Sequence, residues 1–492
     1  MSKGNPQPAK ISYFFSKGYS DVGNVIKGAW VNNWGTVEWY KTKLSDSWNS
    51  GHDVARWFLA VLWLFGMAAV FVVGSAVTAI FTAVNIAVLV AAMAVIYLCF
   101  SILWLADLIY LKSHKIFSAC PICKAKFLLP TFICPSCGAL HTDLRPSKYG
   151  ILNRRCNCGA KLPTSFANGR NGLPAICSNP ECARPIFGIG SRPICIPVIG
   201  GRNTGKTAFI TAFSHDFIEN IMPSIGLTKE NYDSEKETIY ATMQTDYATG
   251  ETSATTRETD PNKPSSISYS FLAAGDGLKP KRLLHIYDIA GEVFTDHREN
   301  EVQQQYDYSH GIVLIIDPLS MTDFANNVWD SLSSVDKASA SDADILFIMD
   351  SFLQKLQQAT GLSDEQASGV PLAVVISKSD CAGLPNMIGD NAVNTLTSDP
   401  AYNGWQPTDI MDDLCRKFLR DNGMASFELA IQHKFKKNRF FSCSSIGHER
   451  GVGSYKPWGV LRVMQWLITS ADPGIAKIWN TEVFSDPPKG AK

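Results

Sequence analysis

"ICIPVIGGRNTGKTAFITAFSHDF", residues 194–217, is the stretch that decides the fold. Residues 194–199 are a short, continuous apolar run, the pattern of a strand buried on both faces. "GGRNTGKT", 200–207, then sets Gly200 and Gly205 around Gly201, Arg202, Asn203 and Thr204, and closes on Lys206 and Thr207. A segment with helical apolar periodicity follows. Strand, glycine-rich loop and helix in this order make a phosphate cradle. The loop's N–H groups surround the phosphate oxygens, and the start of the helix adds a positive dipole end. Lys206 is placed to reach the β- and γ-phosphates, and the Thr207 hydroxyl to bind Mg²⁺.

Three later segments extend the pattern. "RLLHIYDIAGE" reads as a strand ending in Asp288, with Gly291 and Glu292 just beyond. "PLAVVISKSD" is a buried strand ending in Ser377, Lys378, Ser379 and Asp380. "NRFFSCSS" is another, ending in Ser442, Cys443 and Ser444. On these residues the chain, from about 192 to 472, resembles the P-loop GTPases of the translation-factor-related branch, which includes Ras-like and dynamin-like proteins. The phosphate loop matches fully, and Asp288 to Gly291 match the D-x-x-G element. "SKSD" matches the guanine-reading element, with Ser377 in place of the usual Asn or Thr. The resemblance implies that Asp288 holds the Mg²⁺ hydration shell and that the Gly291 N–H senses the γ-phosphate. It implies that Asp380 pairs with the two guanine donors, that Lys378 lies over the base, and that Ser442, Cys443 and Ser444 lie near the guanine carbonyl. A buried carboxylate left unpaired is costly, so such a site rejects a base lacking those donors by about 10⁴-fold or more.

"GIVLIIDP", ending in Asp317, offers a competing reading as the acidic strand end of an ATPase. Asp317 before Pro318 is equally a helix start, with the acid as N-cap and proline at the first helical position. We read it as the helix start. Two residues depart from the Ras-like pattern. Glu292 stands where those enzymes carry a water-orienting glutamine, and its charge would be repelled by a γ-phosphate. Asn203 sits where GTPases that use a monovalent cation carry an asparagine that helps to ligate K⁺, which then neutralises charge developing in transfer. The alternative is that Asn203 only tolerates the backbone geometry of the loop. Residues 247–266 are polar and Gly/Pro-punctuated, and provide the candidate switch segment, with Thr255, Thr256 and Thr259 as candidate Mg²⁺ ligands and Thr256 preferred. The long stretches 320–366 and 381–437 are expected to carry partner contacts. The acidic run "SVDKASASDADILFIMD" reads as a solvated face.

The first 190 residues have a different character. From Trp57 to Ala106 there is no Asp, Glu, Lys or Arg, over 50 residues. A membrane core needs about 20 helical residues, so this block predicts two spans, with the turn between Gly74 and Asn85. Trp57, Trp63, Tyr97 and Trp104 suit the interfaces, and the basic flanks put both ends in the cytoplasm. The polar opening "MSKGNPQPAK" predicts no cleavable signal peptide. The segment before the block carries Trp30, Trp34, Trp39 and Trp48, and fits either an interfacial amphipathic helix or packing on the soluble domains.

Eight of the 13 cysteines fall between residues 120 and 182. Cys120, Cys123, Cys134 and Cys137 form two C-P-x-C turns with zinc-ribbon spacing. Cys156, Cys158, Cys177 and Cys182 form a second, looser set. A cross-braced exchange of ligands between the sets stays open, with iron as the lesser alternative to zinc. Disulfides are disfavoured by a reducing compartment. Four-Cys sites are structural, and a zinc-stapled spacer fits better than a nucleic-acid module because no basic-aromatic stripe stands out.

The expected organisation is a Trp-rich cytoplasmic segment (1–55), a transmembrane hairpin (56–111), one or two zinc ribbons (116–190), an α/β P-loop GTPase domain with a mostly parallel sheet flanked by helices (192–475), and a tail (476–492). This plan resembles the bacterial double-GTPase families, which implies a second GTPase-like protein as partner and a link to conflict or defence systems. The predicted function is a GTP-hydrolysing switch at the inner membrane, with GTP, Mg²⁺, Zn²⁺ and K⁺ as ligands. A non-hydrolysing assembly platform, consistent with Glu292, is the rival.

Overall fold

The computed structural model describes residues 7–50, 53–120, 123, 125–230, 234–252, 266–289, 308–361, 366–448 and 450–479. Gly291, Glu292, Thr255, Thr256 and Thr259 lie outside these residues, as does the tail beyond Trp479. The chain divides into two units: Met1–Ser113 with Leu129–Ile176, and His114–Leu128 with Cys177–Lys492. The expected zinc block of 116–190 is therefore not a unit of its own. Its middle belongs with the N-terminal helices, and its two ends belong with the α/β domain.

The first unit begins with helix α1 (Lys17–Ser50). It is followed by helix α2 (Val54–Ser113), 60 residues with a mean hydropathy of 2.8 in its most apolar stretch and long and apolar enough to cross a membrane. The expected turn between Gly74 and Asn85 is absent. A π-helical stretch over Val70–Gly74 passes directly into α-helix. The polar residues that suggested a turn satisfy themselves within the helix. Thr78 Oγ1 donates to the Gly74 carbonyl at 2.8 Å, Thr82 Oγ1 to Thr78 at 2.8 Å, and Asn85 Nδ2 to Phe81 at 2.8 Å. Back-bonding of this kind lets Thr and Asn sit inside a helix without breaking it.

The hairpin that does form is between α1 and α2. Trp30 Nε1 donates to Thr82 Oγ1 (3.1 Å) and Asn33 Nδ2 to Ser75 Oγ (3.1 Å). Edge-to-face ring pairs continue down the seam as Trp34–Phe71, Trp39–Trp63 and Trp48–Trp57. Partners later in α1 meet positions earlier in α2, so the helices are antiparallel. Gly74 makes room for this contact, since a Cβ there would collide with Asn33 Oδ1. The tryptophans thus pack largely on the apolar helix.

At its far end α2 is clamped by the Cys-rich fold. Asp107, one residue beyond the charge-free block, is 6% exposed. Its carboxylate takes Arg170 Nη1 at 2.9 Å and the Phe166 N–H at 2.8 Å. The same guanidinium donates to the carbonyls of Leu144 (3.0 Å) and Thr164 (2.8 Å). Burial pulls the Arg170 pKa down, and Asp107 opposes that by favouring the charged form.

The second unit is built on a seven-stranded sheet. Its elements are β1 (Arg192–Gly200), α3 (Lys206–Asp216), β2 (Thr228–Glu230), α4 (Ser234–Thr249), β3 (Ser266–Ala274), β4 (Arg282–Ile289), β5 (Ile312–Ile316), α5 (Ile345–Thr360), β6 (Leu372–Ile376), α6 (Pro407–Asp421), β7 (Asn438–Ser442) and α7 (Val460–Ala471). The strand order is β2-β3-β4-β1-β5-β6-β7. Strands β4, β1, β5, β6 and β7 are parallel, and β2 and β3 are antiparallel at one edge. β1, β5 and β6 are buried at every position, which explains their unbroken apolar runs. Apolar clusters cover both faces of the sheet. The core continues past the expected boundary at 475, because Trp479 is buried and packs on Phe217 with ring centroids 4.9 Å apart.

Breaking a buried ion pair by removing one partner costs about 3–5 kcal/mol. Asp107→Ala in the full chain is therefore expected to expose the 129–176 region to limited proteolysis. The Asp107→Leu/Arg170→Met double variant should recover much of the protection, because it leaves no buried charge unpaired.

Candidate nucleotide site and cysteine clusters

The carboxyl ends of β1, β5 and β6 lead into one cavity of about 620 Å³. Arg202 to Thr207 line one side, Ser377, Lys378 and Asp380 another, and Ser444 with Ser445 a third. Motifs that lie far apart in the sequence are thus brought together.

The phosphate loop has the geometry its composition requires. Gly200 has φ 153°, and a Cβ there would meet the Ile315 carbonyl. Asn203 has φ 59°, a left-handed conformation that Asn tolerates better than most residues. This accounts for Asn203 without a cation. Lys206 Nζ donates to the Gly200 and Gly201 carbonyls at 3.0 and 2.5 Å, inside the loop it closes. Thr207 Oγ1 donates to Asp288 Oδ2 at 2.7 Å. One oxygen ligand from the first turn of α3 and one from the end of β4 therefore stand side by side, a donor set suited to a hard divalent cation.

Asp317 is excluded from that role. Its Oδ1 accepts the Leu319 N–H at 2.9 Å, which caps a short helix over Pro318–Ser320. Its Oδ2 accepts the Ser341 N–H at 2.9 Å and Lys378 Nζ at 2.6 Å. Asp317 is a helix cap and a lysine anchor, and it is Asp288 that meets Thr207.

On the base side, Ser377 performs a linking role in place of the larger Asn. Its hydroxyl lies 2.8 Å from the Thr204 carbonyl and 3.0 Å from that of Ile316, tying this strand end to the phosphate loop. Lys378, at φ 51°, also donates to the Ser339 carbonyl at 2.5 Å. Asp380 Oδ1 accepts Ser444 Oγ at 2.6 Å, and Ser444 Oγ in turn accepts the Gly447 N–H at 2.9 Å. Burial, and then the charges of Asp380, Asp336 and Asp317, push the neighbouring Cys381 thiol up to about 12. The base side of the cavity thus carries Asp380 and Asp336 beside Lys378, and the phosphate side carries Lys206 and the start of α3.

Two expectations need correction. Ser442 and Cys443 do not face the cavity. Ser442 donates to the Ile388 carbonyl, and Cys443 is buried in the core, where its thiol pKa is raised by burial. Ser444 reaches the cavity because it lies past the end of β7. The acidic run after Ser333 is also part of the site. Ser334, Asp336 and Ser339 line the cavity, and Ser341 Oγ donates to the Arg202 carbonyl at 2.5 Å. No short motif or periodicity marks this segment in the sequence.

The loop after Ser444 also grips the segment that enters the expected switch. Arg450 Nε meets Glu251 Oε2 at 3.0 Å, and Tyr455 OH lies 2.7 Å from the Glu251 carbonyl and 3.0 Å from Thr252 Oγ1. Thr252, His448 and Arg450 all line the cavity.

Residues 194–412 match the model of the Double-GTPase 2 family. Over these residues the chain is similar to the Double-GTPase 2 domain. Solved structures similar to the chain include the bacterial selenocysteine-specific elongation factor EF-Sec (12% identity, 57% of this chain and 29% of that one, TM-score 0.24). The GTPase-like domain of S. cerevisiae Ski7 bound to GTP is also similar (12% identity, 60% of this chain and 51% of that one, TM-score 0.27). So is Roco2 RocCORdC of Methanosarcina barkeri bound to GDP (12% identity, 54% and 52%, TM-score 0.18). The chain spans between about a third and half the length of these structures, and such low TM-scores add nothing to the fold assignment. No curated protein matches. The Double-GTPase 2 match agrees with the motif order, and it covers the phosphate loop, Asp288 and the Ser377–Asp380 element.

Outside the family match, the eight cysteines form two four-thiol clusters. Their pairing differs from the sequential sets. Cys120, Cys123, Cys177 and Cys182 form one cluster, and Cys134, Cys137, Cys156 and Cys158 the other. The second cluster is nested within the first along the chain, so ligands are exchanged between sets but are not interleaved. The sulfurs are separated by 3.7 Å (Cys120–Cys182), 3.5 Å (Cys123–Cys177), 3.7 Å (Cys134–Cys158) and 3.6 Å (Cys137–Cys156). Four sulfurs at about 2.3 Å from a tetrahedral zinc would lie about 3.8 Å apart, so both sets fit the ion. Burial pushes the Cys134 thiol up, but N–H groups of Ser136 and Cys137 outweigh it and bring it down to about 7.

Metal analysis is expected to find two zinc ions per chain. Cys134→Ser/Cys156→Ser should lose one ion, as one site is damaged twice. Cys134→Ser/Cys177→Ser should lose both. Sequential pairing predicts loss of one ion for Cys120→Ser/Cys134→Ser, whereas nested pairing predicts loss of two.

Proposed function

We propose that the chain is a membrane-anchored GTPase switch, with the cavity beside the phosphate loop as its GTP site. The observation that carries this reading is the convergence of the phosphate loop and Asp380 on one cavity of nucleotide size, with Asp288 behind it bonded to Thr207. The triphosphate would lie along residues 202–207 with Lys206 at the β- and γ-phosphates, and Thr207 and Asp288 would hold Mg²⁺. When bound, Mg²⁺ offsets charge on the β- and γ-oxygens. The guanine ring lies over Lys378, with Asp380 accepting from its two adjacent donors and Ser444 holding the Asp380 carboxylate in place. Hydrolysis follows by attack of water on the γ-phosphorus and release of phosphate. The expected switch, 247–266, and the loop after Asp288 are the segments proposed to contact the γ-phosphate and to change on hydrolysis. Asn203 is the candidate K⁺ ligand if a monovalent cation assists transfer, and Glu292 remains the residue that separates hydrolysis from a platform role.

The α1–α2 hairpin is the proposed anchor. Lys112 in the last turn of α2 and Lys115 just beyond it favour a cytoplasmic side for the following domain, and two four-thiolate sites suit that reducing compartment. An antiparallel α1–α2 hairpin returns the chain to the side on which it began. A second GTPase-like protein is the proposed partner.

Asp380→Asn is expected to weaken GTP binding and to favour xanthosine triphosphate, measured by displacement of a fluorescent nucleotide. No shift toward xanthine would sink the base assignment. Ser377→Ala removes one buried hydrogen bond worth about 1 kcal/mol, so about fivefold weaker GTP binding is expected. Phosphate release in K⁺ against Na⁺, with Thr207→Ala as the inactive control, separates the switch from the platform.

A further inference from the structure

The two sides of the α1–α2 hairpin are chemically opposite. α2 carries large exposed apolar side chains along its length, such as Phe65, Val72 and Ile80. On α1, the half-buried positions Val22, Ile26, Ala29, Asn33, Val37, Tyr40 and Leu44 recur every three or four residues and form the side packed on α2. The opposite side of α1 is exposed and includes Asp21, Asn24, Lys27, Asn32 and Glu38.

The asymmetry has a consequence if the hairpin is the membrane anchor proposed above, a reading the inference requires. α1 and the turn before it run beside α2 from Trp57 to Tyr97, where Phe15 packs on the Tyr97 ring. From Trp104, which Arg145 overlies, the Cys-rich fold takes over. A span needs about 20 residues, and no stretch of that length in α2 lies clear of both partners. α1 therefore enters the bilayer with α2. Its polar side then faces hydrocarbon, which is unfavourable by about 2.5–3.5 kcal/mol for a single charged side chain at the centre, unless protein or water covers it.

The charges on α1 indicate what covers it. Reading outward from Asn32 in both directions, the signs oppose one another: Lys27 against Glu38, Asp21 against Lys43, and Lys17 against Asp46. Lys41 has no counterpart. A helix with this pattern complements itself when turned end for end. We infer that α1 is a self-association surface, on which a second copy of this chain packs its own α1 in antiparallel, two-fold fashion about Asn32. Lys27 then meets Glu38 of the second copy, and Glu38 meets its Lys27. Because the contact is isologous, each ion pair forms twice. On a helical wheel Lys27 and Glu38 fall on the same edge of the exposed side, and in antiparallel packing same-edge positions meet. The polar sides are buried against each other, and the α2 sides face lipid.

The test is a charge-swap cycle on the full chain in detergent, read as protein mass by light scattering across a dilution series. The wild type is expected at twice the 54.0 kDa chain mass. Lys27→Glu and Glu38→Lys should each weaken the dimer by about tenfold or more, since each places like charges together twice. The Lys27→Glu/Glu38→Lys double variant should restore it. Zinc content and GTP binding serve as folding controls. If a swap fails them, Asp21→Lys, Lys43→Asp and their combination take its place. A monomeric wild type, single swaps without effect, or a double swap that does not restore the dimer overturns the inference. Alkaline extraction of membranes is read separately. Chain that stays with the bilayer but is monomeric overturns self-association alone, whereas chain released by alkali overturns the anchor and the need for cover.

Discussion

The parallel ladder between β4 and β1 is the constraint on which the site depends. It pairs Asp288 with Val198, two residues before the phosphate loop begins. That register brings the Asp288 carboxylate to the Thr207 hydroxyl. Parallel pairing of β5 with β1, and of β6 with β5, sends Asp317 and the Ser377–Asp380 element out at the same edge. A ligand outside the carboxyl ends of such strands meets residues from distant parts of the chain at once. Ser377 then joins the base side to the phosphate side through the Thr204 carbonyl. A nucleotide in this cavity therefore touches one hydrogen-bonded frame.

How much of this was legible depended on how locally each feature is determined. The phosphate loop is specified by eight consecutive residues, and its strand, glycines and helix start all stand where the pattern puts them. Asp288, Lys378 and Asp380 were legible because each sits within a few residues of an apolar strand end. Ser442 and Cys443 were misplaced because the three-residue element spans the last strand position and the turn, where burial changes within a residue. The 334–341 segment was missed because it reaches the cavity through the long connection between β5 and α5, and neither periodicity nor spacing encodes that path.

The N-terminal half was misread for a different reason. Composition marked residues 57–106 as apolar, but it did not distinguish a turn from a helix in which Thr and Asn bond back to preceding carbonyls. The partner that completes the hairpin was the Trp-rich segment, whose contacts with α2 are interhelical and leave only a weak mark on a single sequence. Cysteine spacing likewise fixed which turns exist and left open which turns share an ion. The nested pairing places one four-thiol cluster in each unit, so the Cys-rich region contributes to both.

Asp380 carries the claim that the cavity reads guanine, and calorimetric titration of the full chain with GTP and ATP in parallel, at fixed Mg²⁺, tests it most directly. The account predicts saturable binding of one GTP per chain, with ATP weaker by several orders of magnitude. Equal affinity for the two nucleotides would contradict it.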